Sequence, residues 1–213
     1  MRSTLGNPGA LAVAGALLLY STGSGAFTVN ISAASPRTIY LQVGVGTFNG
    51  LLSSGGSPGT NPTINVVSVT VPAAQVGSGT AQTMTTNSTA SRSFYDNFVF
   101  CNAPAQLYIG GFYRRTNSGS APDASLTATA PANLVNASGD TIPFSQIEWT
   151  SSGIGDSGTQ VFPAGVFTGG TQPIGTIQRN QWAESCHTFS YRNQAIVPAG
   201  TYTGTVTYTL SAP

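Results

Sequence analysis

There is no lysine in this chain. Its 7 cations are arginines, set against 6 acidic residues, and charged side chains make up 6% of its 213 residues, where about 25% is usual for a soluble domain. Each scarcity excludes a class of function. Without lysine there is no amine for a Schiff base and none to reach the phosphates of a P-loop site. A net charge of +1 with no basic run offers little to a phosphate backbone, so nucleic acid is not an expected partner. No catalytic residue, metal or cofactor is expected. What is abundant is hydroxyl and turn chemistry, with 28 Thr, 24 Ser, 26 Gly and 13 Pro beside a hydrophobic fraction of 40%. That fraction is too high for a disordered chain. The profile points to extracellular β-structure.

The first segment reads as an address. Met1-Arg2 supplies a positive start, Ala10 to Tyr20 is an apolar run, and Ser24-Gly25-Ala26 offers small residues for cleavage. That is the layout of a secretory signal peptide, with an apolar run too short for a bilayer core of ~30 Å. The expected divisions are 1–26 as signal peptide, 27–36 as an N-terminal strand and linker, and 37–213 as one β-sandwich domain. No integral membrane segment is expected after cleavage, and the expected location is secreted or on the cell surface. An isolated cysteine pair in an oxidising compartment is expected to close a disulfide, Cys101 to Cys186. The competing reading is a reactive thiol at Cys186 beside His187, but strand neighbours point to opposite faces and no third group orients the pair.

Strand signals recur through the rest, separated by Gly, Pro, Asn and Ser clusters. The patterning predicts strands over Phe27–Ala33, Thr38–Phe48, Thr63–Val71, Ser93–Cys101, Gln106–Arg115, Ala124–Ala130, Thr141–Thr150, Pro173–Gln178, Cys186–Tyr191 and Thr201–Ser211. Gln178 to Ser185 reads as a short helical turn. Ten short strands with no real helix predict an all-β, antiparallel sandwich. The two ends are the most regular. Tyr202, Gly204, Val206, Tyr208 and Leu210 alternate with Thr and Ser from Thr201 to Ser211, and Phe27, Val29, Ile31 and Ala33 alternate with Thr28, Asn30 and Ser32. A leading strand cut off from the body by Pro36 needs an edge on which to bury its apolar side, either its own or a neighbour's.

The closing run Ala199-Gly200-Thr201-Tyr202-Thr203-Gly204-Thr205-Val206-Thr207-Tyr208-Thr209-Leu210 resembles the last strand of chaperone–usher pilus subunits, particularly the spore coat protein U-like branch. The resemblance implies an incomplete immunoglobulin-like sandwich whose groove a periplasmic chaperone fills first and a neighbour's N-terminal strand fills later. Tyr202, Val206, Tyr208 and Leu210 would line that acceptor groove, and Phe27, Val29, Ile31 and Ala33 would form the donor strand. The expected function is a secreted filament subunit, pilus- or fimbria-like, that forms a homo-oligomer by strand donation after export through the periplasm. The alternative is a monomeric adhesin or carbohydrate-binding module, with Trp149, Trp182, Tyr113 and Tyr191 as a sugar-stacking platform.

Other motifs fail on their own chemistry. Gly55-Gly56-Ser57-Pro58-Gly59 has the spacing of a nucleophile elbow, but Pro58 lacks the N–H that an oxyanion needs. Gly153-Ile154-Gly155-Asp156-Ser157-Gly158 has the dinucleotide spacing without a helix to follow, and Asp156 would repel a pyrophosphate. Asp140, Glu148 and Asp156 lack the ligand density of a calcium loop. Arg114-Arg115 reads as a solvated pair beside a turn.

Overall fold

The computed structural model of the protein describes residues 28–61, 63–116 and 122–213; the expected signal peptide and Phe27 lie outside them. Eight principal strands form two antiparallel sheets. They are β1 (Thr28–Asn30), β2 (Thr38–Val43), β3 (Leu107–Arg114), β4 (Ala124–Thr129), β5 (Ile147–Ser152), β6 (Thr171–Ile177), β7 (Gln181–Tyr191) and β8 (Thr207–Ser211). The larger sheet runs β5–β7–β3–β2, with β1 laid against the first residues of β7, and the smaller runs β6–β4–β8. The fold is therefore the all-β sandwich that the patterning predicts. Among the described residues the helical segments are three-residue 3-10 turns, and no helix is long and apolar enough to cross a membrane.

Period-2 patterning explains the inner core. In β4, Ala124, Leu126 and Ala128 are buried while Ser125, Thr127 and Thr129 face outward. Leu126 meets Ile109, Ile174, Ile177, Phe189 and Leu210 in one apolar cluster between the sheets. Each such side chain contributes about 1.5–3 kcal/mol relative to an exposed one.

The larger sheet is buried on its second face as well. Residues 44–60 and 88–101 form an irregular layer whose Phe48, Phe94, Tyr95 and Phe100 pack on Tyr40, Tyr108, Phe112 and Trp182. The expected strand Ser93–Cys101 belongs to this layer. Asn97 has φ 70° and its N–H bonds back to the Ser93 carbonyl, so the segment turns where a strand would run straight. Cys101 closes the expected disulfide to Cys186, with Cα atoms 5.6 Å apart. The bond ties the layer to the middle of β7.

Two other expectations are corrected. Gln178–Ser185 is not helical: Asn180, at φ 56°, ends a turn, and the chain then enters β7 at Gln181. Trp182, Glu184 and Cys186 share the outer face, while Ala183, Ser185 and His187 share the inner one. The expected eleven-residue strand Thr201–Ser211 is interrupted: Thr203 makes an isolated antiparallel bridge to Val135, and the chain joins the smaller sheet only from Thr207. Gly204 explains the break, because a Cβ there would lie 2.8 Å from Phe144 and 2.9 Å from Leu134.

Gly110 and Gly111 set the spacing of the larger sheet. A Cβ on Gly111 would lie 2.3 Å from the Tyr40 carbonyl oxygen, a backbone atom held by the β2–β3 ladder. Gly111→Ala should therefore destabilise the protein by about 1–3 kcal/mol, as overpacking does; an unchanged melting temperature would refute this reading.

The outer face of the smaller sheet lies open. Its strand register aligns outward side chains in three rows: Thr171–Thr129–Thr207, Pro173–Thr127–Thr209 and Thr176–Ser125–Ser211. The Thr129 and Thr171 hydroxyls are 2.8 Å apart.

Candidate functional site

The edge of β7 that receives β1 is the first candidate. Thr28, Val29 and Asn30 pair with Ala183, Trp182 and Gln181, and the Ile31 N–H bonds to the Asn180 carbonyl. Val29 and Ile31 are half-buried on the outer aromatic cluster, whereas Ala33 is exposed beyond the strand. Of the four expected donor residues, then, two make the anticipated apolar contact, Ala33 does not, and Phe27 lies outside the described residues. The strand lies on β7 of its own chain. Residues 31–37 then pass over the ends of β7 and β3 to reach β2, a crossing of three strand spacings, or about 14 Å. This connection is mostly exposed, with the Ser32 carbonyl accepting from Arg114 Nε at 2.8 Å.

The expected acceptor residues sit elsewhere. Tyr202, Val206 and Tyr208 are half-buried and Leu210 is buried, all against the inner core. They pack on their own chain, and β8 pairs with β4. Within one chain the surface that receives β1 is Gln181–Ala183. The alternation in β8 signals a core-facing strand, which the sequence pattern cannot distinguish from a groove wall.

Next to the β7 residues that pair with β1, the outer face of the larger sheet holds a buried carboxyl that sequence reasoning did not single out. Glu184 is fully buried. Its cross-strand neighbour on β3 is Gly110, and Gln42 lies opposite Gly110 on β2. The missing side chain at Gly110 leaves room for the Tyr108 hydroxyl, which a Cβ there would approach to 2.3 Å. That hydroxyl donates to Glu184 Oε2 at 2.6 Å. Burial raises the Glu184 carboxyl to about 7, against the lowering effect of Tyr108, Trp182 and Ser93 and with a further rise from Asp96. Burial and the neighbouring carboxylate push Tyr108 up as well. Beside them Tyr40 donates to Gln42 Oε1 at 2.6 Å, and Gln42 donates to the Gly44 carbonyl at 2.7 Å. An acid at 184 in an alternating strand is the sequence signal, visible only once 181–185 is read as strand.

His187 occupies the opposite face. It stacks on Trp149 at 5.8 Å between centroids, with Nε2 3.1 Å from the Phe162 carbonyl, and burial lowers it to about 4. It is a neutral core residue with Cys186 and Glu184 on the far side of the strand. The sugar-stacking reading is corrected too, because Trp149, Trp182, Tyr113 and Tyr191 are all buried. Asp140 is engaged with Asn136, and Glu148 pairs with Arg192 at 2.7 Å. No group of three or more His, Cys, Asp or Glu that could hold a metal lies among the described residues. Ser57 and Pro58 form one arm of a small hairpin with Phe48 and Asn49, and Gly153–Asp156 is a turn.

Open depressions among the described residues include the following pair. One of about 250 Å³ beside β1 is lined by Thr28, Thr176, Gln178 and Gln181 among others, and one of about 370 Å³ by Phe48, Phe94, Arg92 and Asn97 among others. Neither lining includes Asp, Glu, His or Cys, so neither offers a general acid–base pair. These features define a disulfide-tied antiparallel β-sandwich with a short edge strand. Among known proteins the chain matches no family model, no curated protein and no solved structure.

Proposed function

We propose that the chain is an exported structural subunit that assembles outside the cell by exchanging β1 between copies. The observation that carries this reading is the way β1 is held: three residue pairs on β7, and a mostly exposed connection to the body. A second copy presents the same Gln181–Ala183 edge, so every contact that β1 makes within its own chain can be made on a neighbour. The seven residues 31–37 reach up to about 24 Å when extended, which allows β1 to leave without disturbing β2. Because each copy both gives and receives a strand, the contacts need not close, and head-to-tail repetition yields a filament. The disulfide agrees with an oxidising environment.

The test compares residues 27–213 with a form lacking 27–35. The full form should sediment as oligomers at high concentration. The truncated form should stay monomeric, melt at lower temperature, and regain stability when a peptide of residues 27–35 is added. Equal stability and identical monomeric sedimentation of the two forms would end the proposal.

A further inference from the structure

Among the described residues, the three outward rows of the β6–β4–β8 sheet carry no charge and no aromatic ring, and the exposed Asp123 lies just past the last row. Of the nine outward positions in these rows, all but Pro173 bear a hydroxyl. Ser and Thr together are 52 of 213 residues (24 and 28), a share that would place about two hydroxyls among nine positions (9 × 52/213). Solvated strands ordinarily carry Lys, Glu or Arg at such positions to stay soluble and unpaired. Here that role falls to the edges: Pro173, on the edge strand β6, has no N–H with which to pair a further strand.

We infer that this face binds ice, engaging the ordered water lattice of a growing crystal surface. The geometry is the first argument. Adjacent strands place their side chains about 4.8 Å apart. Tetrahedral water with an O···O distance of about 2.76 Å puts its second neighbours about 4.5 Å apart, so threonines on neighbouring strands repeat at nearly the lattice interval. Along a strand the rows repeat at about 6.7 Å, against about 7.4 Å for the longer lattice repeat, which is 8/3 of the same bond length. Across three rows the offset totals about 1.4 Å, within reach of hydroxyls that rotate about a single bond. The Thr129 and Thr171 hydroxyls bond to each other at 2.8 Å, so that pair must rotate apart to meet the lattice interval.

Charge complementarity is the second argument. An ionic side chain holds its own hydration shell, which does not fit a tetrahedral lattice, whereas a neutral face meets a neutral crystal without that cost. Each threonine adds a methyl group beside its hydroxyl, so water is ordered over the methyl and anchored at the oxygen. The same composition disfavours other occupants. Protein interfaces draw on Trp, Tyr, Met and Arg, and sugar rings stack on aromatic faces; the three rows supply neither.

The experiment partitions the full exported chain, residues 27–213, between liquid and a slowly growing ice hemisphere. Three variants accompany it: Thr127→Lys with Thr209→Lys, the milder Thr127→Val with Thr209→Val, and Thr85→Lys at an exposed position off this face. The unaltered chain and Thr85→Lys should be enriched in the ice, and the double-lysine form should be rejected like an ordinary solute. The double-valine form keeps the shape and should lose part of the enrichment, which guards against misfolding of the lysine form. Rejection of the unaltered chain, or enrichment of the double-lysine form equal to it, would overturn the inference. So would retention on an insoluble neutral polysaccharide, or dimerisation through this face, if rejection from ice accompanies either.

Discussion

Replacing Cys101 and Cys186 by alanine should lower the unfolding free energy by about 4–5 kcal/mol, the loop-closure value for a bond spanning 85 residues. Of all the changes considered this one should be the largest, because the bond also holds a layer with little regular pairing of its own. Residues 88–101 are kept on the larger sheet by Phe94, Tyr95 and Phe100 and by a few backbone bonds, such as Ile154 N–H, just past β5, to the Phe100 carbonyl at 2.9 Å. The loss should therefore appear first in that layer. Trp182 lies beneath it and Trp149 lies in the inner core, so the two indoles report on opposite faces of one sheet. In a Trp149→Phe background, Trp182 fluorescence should show a transition at lower urea than the far-ultraviolet signal. Coincident transitions with an unchanged midpoint would show that the layer does not depend on the bond.

Stability should be nearly flat between pH 4.5 and 6.5 in the intact protein and steep in two single variants, with opposite slopes. Glu184 is raised from 4.5 to about 7. A carboxyl raised in the folded state contributes stability that is complete below its unfolded value and lost as pH climbs through about 7. His187 is lowered from 6.5 to about 4. A depressed histidine contributes stability that is complete above its unfolded value and lost as pH falls through about 4. Each change amounts to about 3 kcal/mol at 1.36 kcal/mol per pH unit, and over the shared window they oppose each other. Glu184→Gln should leave the histidine contribution, so stability should rise with pH by about 3 kcal/mol. His187→Gln should leave the carboxyl contribution, so stability should fall by a similar amount. Urea denaturation at half-unit pH intervals checks both; parallel profiles for all three proteins would sink the prediction.

Much of the sandwich was legible in the sequence. Strands β2, β3 and β4 follow alternation or apolar runs between turn residues, and the disulfide follows from a lone cysteine pair in an expected oxidising compartment. The third layer was not legible. Phe94, Phe98 and Phe100 suggest a strand by their spacing, yet Asn97 turns the chain, and only tertiary packing decides that this segment serves as a cover. The first half of β7 was hidden for a different reason. Both of its faces are buried and both carry polar groups, Glu184 on one side and Ser185 and His187 on the other, so alternation of apolar with polar residues disappears where burial is most complete. That same concealment removed Glu184 from view as a site. The terminal alternation was visible, but whether an alternating strand lines a core or a groove depends on what lies opposite, and period-2 patterning carries no information about that.

Two dry faces on one sheet also make the oxidised bond a proofreader. Displacing β7 by a single residue would turn Cys186 toward the inner core and His187 toward the aromatic layer, leaving Cys101 with no sulfur to meet. Chains trapped in that arrangement would keep two free thiols, so counting thiols in freshly refolded material measures how many molecules have chosen the wrong alignment.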